Sequence, residues 1–158
     1  MKNIVGKIAI VGLGYVGLPL AVGFSRKYDV IGFDLDLKRI EELKNNFDKT
    51  NEVSRSSLAS INNIVFTNNQ EELVDAKQFI ITVPTPIDKN NKPDLSFLIG
   101  ASHTVSKYIK VGSHIVFEST VFPGATEEIC APILEEVSGL SFNEDFFCGY
   151  SPERVNPG

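Results

Sequence analysis

Apolar residues in this chain fall into short β-branched runs, and between those runs they recur at the three- and four-residue spacing of helices. The runs predict strands over 7–11, 30–34, 64–67, 79–83, 114–118 and 146–150. Several are apolar at successive positions, as strands are when helices cover both faces of a parallel sheet. The intervening spacings predict helices over 16–27, 37–45, 71–75, 96–109 and 126–137. Alternation of this kind, ending in a sixth strand, is the doubly wound α/β plan, a mostly parallel sheet with helices on both faces. Pro19 is compatible with the first helix because it falls in the first turn, where a missing N–H would have had no intrahelical partner. The polar stretch 45–57 is longer than a typical connection and predicts an ordered surface loop or a short extra helix. No repeat or low-complexity tract interrupts the alternation, so residues 1–158 read as one domain.

Composition narrows the possible partners. Hydrophobic residues make up 42% and charged residues 22%, and the net charge is -5. That balance gives no electrostatic reason to expect nucleic acid or an anionic membrane. No apolar run approaches the roughly 20 residues of a membrane span. At the N-terminus the apolar stretch Ile8-Ala9-Ile10-Val11 is too short for a signal peptide, and Gly12 and Gly14 interrupt it without a small-residue cleavage site. A cytoplasmic protein is expected. Cys130 and Cys148 lie in apolar surroundings and read as buried structural thiols. His103 and His114 have no ligand-spaced acid or thiol beside them, so no metal site is expected.

The chemistry concentrates where strands end. Gly12-Leu13-Gly14-Tyr15-Val16-Gly17 is a G-x-G-x-x-G that follows a strand and opens a helix, and Asp34 ends the next strand about 20 residues on. In this setting Gly12 allows the tight turn, Gly14 lets a pyrophosphate approach the backbone, and Gly17 allows close packing of helix on strand. The helix N-terminus offers N–H groups and partial positive charge to the pyrophosphate. Asp34 is placed to accept hydrogen bonds from ribose hydroxyls and would repel a 2′-phosphate, which favours NAD over NADP. Arg39 complicates that choice, since an arginine here can serve a 2′-phosphate; with Asp34 present it reads as flanking the adenosine.

Three further segments leave strand ends toward the crevice where open α/β sheets bind ligands. Val83-Pro84-Thr85-Pro86 is stiffened by two prolines and suits either a wall beside the nicotinamide ribose or a rigid connection to the next helix. In Glu118-Ser119-Thr120-Val121-Phe122-Pro123-Gly124, Thr120 stands too early to cap the helix after Gly124, so a ligand or water contact is expected of it. Tyr150-Ser151-Pro152-Glu153-Arg154-Val155-Asn156-Pro157-Gly158 carries an adjacent Glu153 and Arg154 that, taken alone, read as a surface ion pair.

Taken together, stretches 11–20, 83–88, 118–127 and 150–158 resemble the UDP-glucose/GDP-mannose dehydrogenase family. They look closest to its UDP-N-acetylhexosamine branch, which includes Vi polysaccharide synthesis. The ordered set with ESTVFPGATEE and YSPERVNPG is far more specific than the glycine motif. The resemblance implies a Rossmann domain in an enzyme of polysaccharide biosynthesis that oxidises a sugar C6 alcohol to a carboxylate with two NAD⁺. A cysteine from a later domain would hold the aldehyde as a thiohemiacetal and then a thioester. It further implies that Tyr15, Val16, Asp34, Arg39, Thr85 and Thr120 contact NAD, and that Thr120 and Glu153 position the water near C6. Arg154 and Val155 would touch the nucleotide sugar. With Gly12, Gly14, Gly17 and Pro84 these are the expected site residues, and a homodimer is expected of the full-length enzyme.

Two departures matter. The glucose-oxidising branch carries a second acid four residues after the position of Glu153, where this chain has Pro157. The family's nucleophilic cysteine and catalytic lysine lie beyond Gly158, and the chain stops inside its own motif, so a piece of a longer protein, inactive without the later domains, is expected. Two other readings stay open: the cofactor domain of another two-domain dehydrogenase of 3-hydroxyacid type, and a non-catalytic NAD-binding module.

Overall fold

The computed structural model describes residues 6–87, 89 and 92–152. In chain order its elements are β1 (Lys7–Val11), α1 (Gly17–Ser25), β2 (Val30–Phe33), α2 (Leu37–Lys44), α3 (Arg55–Ala59), β3 (Ile64–Thr67), a 3₁₀ helix (Gln70–Asp75), β4 (Ala76–Ile81), α4 (Ser96–Ser106), β5 (Ser113–Phe117), a π-helical turn (Thr126–Cys130), α5 (Ala131–Ser138) and β6 (Phe146–Tyr150). The six strands form one sheet in the order β3-β2-β1-β4-β5-β6, with every pairing parallel. This is the Rossmann arrangement. The order reverses between β1 and β4, so the connections leaving those two strands diverge and open a crevice at their carboxyl ends.

Alternate residues of β1 explain why the sheet is central. Ala9 and Val11 face one apolar cluster with Phe79, Ile115, Phe117 and Phe146 of the sheet and Leu98, Val105 and Leu134 of α4 and α5. Ile8 and Ile10 face a second cluster with Leu18 and Ala21 of α1 and Ile40 and Leu43 of α2. Phe33, Phe79, Phe117 and Phe146 are fully buried, each worth roughly 1.5–3 kcal/mol relative to exposure.

Helix ends follow local chemistry. Asp36 caps α2 by accepting from Lys38 N–H, and Ser54 caps α3 by accepting from Ser57 N–H. Gly139 (φ 73°) closes α5 in the left-handed conformation. Several predicted elements shift by one or two residues at an end, and four differ by three residues or in helix type. β4 starts at Ala76 and stops at Ile81, because the 3₁₀ helix ends at Asp75 and the prolines after Val83 divert the chain. The segment expected as a helix over 71–75 is this 3₁₀ helix, capped by Asn69, whose side chain accepts from Glu71 N–H. α4 closes at Ser106, three residues before the predicted end. The helix over 126–137 begins with a π turn, and Pro132 in the first turn of α5 supplies the reason, since its missing N–H interrupts the regular ladder. In the polar stretch 45–57 only the end is helical, and the remainder wraps around the carboxylate of Asp48.

Candidate functional site

A cleft of about 720 Å³ lies at the carboxyl ends of β1, β2, β4 and β5, within the range that accommodates cofactors. The glycine loop makes its floor. Gly12 turns the chain at φ 97°, a conformation that side chains rarely adopt. A Cβ on Gly17 would stand 1.9 Å from Gly12 O and 2.4 Å from Thr82 Oγ1, so the start of α1 is pressed against the end of β1. At Gly14 a Cβ would meet nothing within 4 Å, and this residue lines the cleft. Contact inside the fold thus requires two of the glycines, and the third leaves room beside the backbone.

That combination fits a dinucleotide diphosphate. Leu18 N–H donates to Gly14 O and Leu20 N–H to Val16 O, which starts the helical ladder and leaves the preceding N–H groups without an intrahelical partner. Tyr15 and Val16 line the cleft at this point. Asp34 lies at the next strand end, where its Oδ2 accepts from Leu13 N–H at 2.8 Å and its Oδ1 from Asp36 N–H at 2.9 Å. Each carboxylate oxygen can accept twice, so the group retains capacity for ribose hydroxyls.

Arg39 departs from its expected place. It is only 2% exposed and does not line the cleft. Its Nε donates to Leu13 O at 2.8 Å and its Nη2 to Asp48 Oδ1 at 2.8 Å, behind the glycine loop. Asp48 is buried as well, and its oxygens also accept from Thr50 N–H and Oγ1 and from the N–H groups of Glu52 and Val53. Burial alone would raise the Asp48 carboxyl. The hydrogen bonds from Thr50, Val53 and Arg39 outweigh it and hold the group below the usual carboxylate range.

On the opposite side, Pro84, Thr85 and Thr120 line the cleft. Hydroxyls stitch the exits of β4 and β5 together: Ser119 Oγ donates to Val83 O at 2.7 Å, and Thr85 Oγ1 donates to Thr120 O. Ser119 is buried while Thr120 is exposed at the rim. Glu153, Arg154 and Val155 lie outside the described residues.

Sequence reasoning missed one wall. Phe97, Gly100, Ala101 and Thr104 of α4 line the cleft. Their i, i+3, i+4, i+7 spacing was legible, but a stripe of small and exposed residues reads as a solvent face without the sheet beside it. Thr82 was missed too; its hydroxyl donates to Gly12 O at 2.6 Å and holds the tight turn against β4.

The cysteines stand apart from this chemistry. Burial pushes the Cys130 thiol up to about 11 and the Cys148 thiol to about 12, so neither supplies thiolate near neutrality. Among the described residues no group of three His, Cys, Asp or Glu is placed to hold a metal ion, and no helix is long and apolar enough to cross a membrane.

Comparison with known proteins accounts for the arrangement. Protein CapL of Staphylococcus aureus is 60% identical over 151 residues, covering 96% of this chain and 35% of that protein. A UDP-N-acetyl-D-glucosamine 6-dehydrogenase of Pseudomonas aeruginosa is 55% identical over 158 residues, covering 100% of this chain and 37% of that protein. The structure of a UDP-D-ManNAc dehydrogenase from Pyrococcus horikoshii superposes with a TM-score of 0.88 at 37% identity, over 96% of this chain and 37% of that one. The chain thus spans little more than a third of the length of the relatives it matches. Residues 6–158 match the sequence model of the UDP-glucose/GDP-mannose dehydrogenase family, NAD binding domain, and with the cleft built as described the chain belongs to that family as its NAD-binding Rossmann domain.

Proposed function

We propose that this chain is the cofactor-holding part of a cytoplasmic enzyme that oxidises the C6 alcohol of a UDP-N-acetylhexosamine to the uronate for polysaccharide biosynthesis. Later domains would supply the nucleophilic cysteine, and the full-length enzyme would be a homodimer. The observation that carries the reading is the cleft itself. A glycine turn with open space at Gly14 faces the hydroxyl-stitched exits of β4 and β5 across a crevice of about 720 Å³. Relatives named UDP-N-acetyl-D-glucosamine 6-dehydrogenase at 55% and 53% identity, and Pro157 in place of the second acid, support the acetamido-sugar branch over the glucose branch.

Within this reading the residues divide by task. The first-turn N–H groups near Tyr15 and Val16 bind the diphosphate, and Asp34 binds the ribose hydroxyls and favours NAD over NADP. Pro84 and Thr85 wall the nicotinamide side. Bound NAD⁺ supplies the hydride acceptor. Thr120 and Glu153 hold the water that completes oxidation, and Arg154 and Val155 hold the sugar nucleotide. Positioning of this kind is worth several kcal/mol of barrier.

The test uses the longer protein that carries this chain, with NADH formation followed for UDP-N-acetylhexosamines and UDP-glucose. The acetamido sugars should be oxidised in preference. Glu153→Gln should slow turnover by about 100-fold or more, the scale of a lost proton-transfer group, while NAD affinity stays unchanged. An absence of NADH with every UDP-sugar would overturn the activity, and normal turnover in Glu153→Gln would return that residue to a surface ion pair.

A further inference from the structure

The peptide group joining Leu13 to Gly14 is held from behind. Arg39 Nε donates to Leu13 O at 2.8 Å from a position that is 2% exposed and outside the cleft lining. Among the described residues every peptide bond is trans, and in a trans peptide the C=O and the following N–H point in opposite directions. Drawing Leu13 O inward therefore turns Gly14 N–H outward, to the side where the backbone lines the cleft and has open space. Leu13 has two further anchors. Its N–H donates to Asp34 Oδ2, and its side chain is fully buried among Ile40, Leu43 and their neighbours.

Arg39 is in turn fixed from the polar stretch 45–57. Asp48 Oδ1 takes Nη2 at 2.8 Å, while the remaining Asp48 bonds all go to its own loop. Nη1 faces Glu42 Oε2 at 3.8 Å, too far for a hydrogen bond, so Asp48 and Leu13 O are the short contacts that set the guanidinium plane. We propose that Arg39 and Asp48 are positioning residues for cofactor binding. They form a buried clamp that orients the Gly14 N–H toward the diphosphate without either side chain touching it. The proposal rests on the reading of this cleft as the NAD site.

The clamp makes NAD affinity depend on Asp48, whose side chain lies outside the cleft lining and reaches the glycine loop only through Arg39. Calorimetry of the whole chain with NAD gives the test, each variant being measured well below its own melting temperature. Arg39→Lys keeps a charge for Asp48, but an ammonium cannot span both partners as the planar fork does. It should weaken NAD by about tenfold, the worth of one well-aligned donor. Asp48→Asn should weaken NAD by a similar factor, and the double variant should lose little more than either single one, because the two side chains act as one device. ADP should show the same losses, and adenosine, which lacks the diphosphate, should not. Unchanged NAD affinity in a folded Asp48→Asn variant would overturn the clamp, as would additive losses in the double variant. If Asp48→Asn does not fold, Arg39→Lys decides alone: equal losses for adenosine and ADP overturn the clamp. An unsubstituted chain that folds and binds neither NAD nor ADP would overturn the reading of the cleft, and the clamp with it.

Discussion

Between β1 and β2 the wall of the cleft is backbone, held by glycines and by carboxylates that accept backbone N–H groups; between β4 and β5 it is side-chain hydroxyls joining two loops 36 residues apart. The first region has almost no slack. Gly17 could not carry a Cβ without meeting Gly12 O at 1.9 Å, and Leu13 is anchored by its N–H, its C=O and its side chain. The second is tied by single hydrogen bonds from Ser119 and Thr85, with Thr120 exposed at its rim. One side of the cleft is therefore preformed at the level of the main chain, and the other depends on rotamers. That division suits a dinucleotide, whose diphosphate end needs a fixed cradle.

The sharpest way to break the comparison is at the glycines. Gly17→Ala should cost about 3 kcal/mol, the upper end for overpacking, and lower Tm by about 6–12 °C in a domain of this size. Gly14→Ala should leave Tm within about 2 °C, as surface substitutions do, yet weaken NAD, because its Cβ would fill the space left for the ligand. Thermal melts and NAD titration on both variants check this. A stable Gly17→Ala variant, or a Gly14→Ala variant that binds NAD normally, would mean that the loop is not preformed.

Acid should affect the backbone-built side next. Asp48 has its carboxyl held below the usual range, so its contribution is present above the unfolded carboxylate pKa of about 3.9 and is lost as pH falls through the folded value. Urea midpoints for the parent chain should therefore fall as pH drops below about 4. In Asp48→Asn that limb should be shallower, from a lower starting stability. An identical acid limb in the two proteins would remove Asp48 from the account.

The smallest effect belongs to the hydroxyl-built side. Ser119→Ala removes the donor to Val83 O and should cost about 1 kcal/mol, the ordinary net worth of one hydrogen bond, or about 2–4 °C in Tm. A loss as large as that of Gly17→Ala would erase the contrast between the two walls.

Strand and helix order, the glycine cradle, Asp34 and the chemistry of the strand exits were all legible along the chain, because each is a local pattern. Apolar period announces a covered strand, and glycine spacing announces a tight turn. Local pattern also pointed the loops carrying Thr85 and Thr120 toward the cleft, since they follow the carboxyl ends of adjacent parallel strands. What the chain could not reveal are contacts between stretches that share no period. Arg39 reads as a residue beside the adenosine until the fold brings Asp48 beneath it; the polar stretch 45–57 carries no signal that one of its carboxylates is buried. The α4 wall of Phe97, Gly100 and Thr104 was hidden for the same reason, because small and exposed residues acquire meaning only from what stands opposite. Propensity and periodicity act over a turn or a strand, whereas the partner of a buried charge is chosen by packing. The amino-acid sequence by itself thus determined the plan of the sheet and the floor of the cleft, and the tertiary structure decided which polar groups face the cleft and which hold the floor in place.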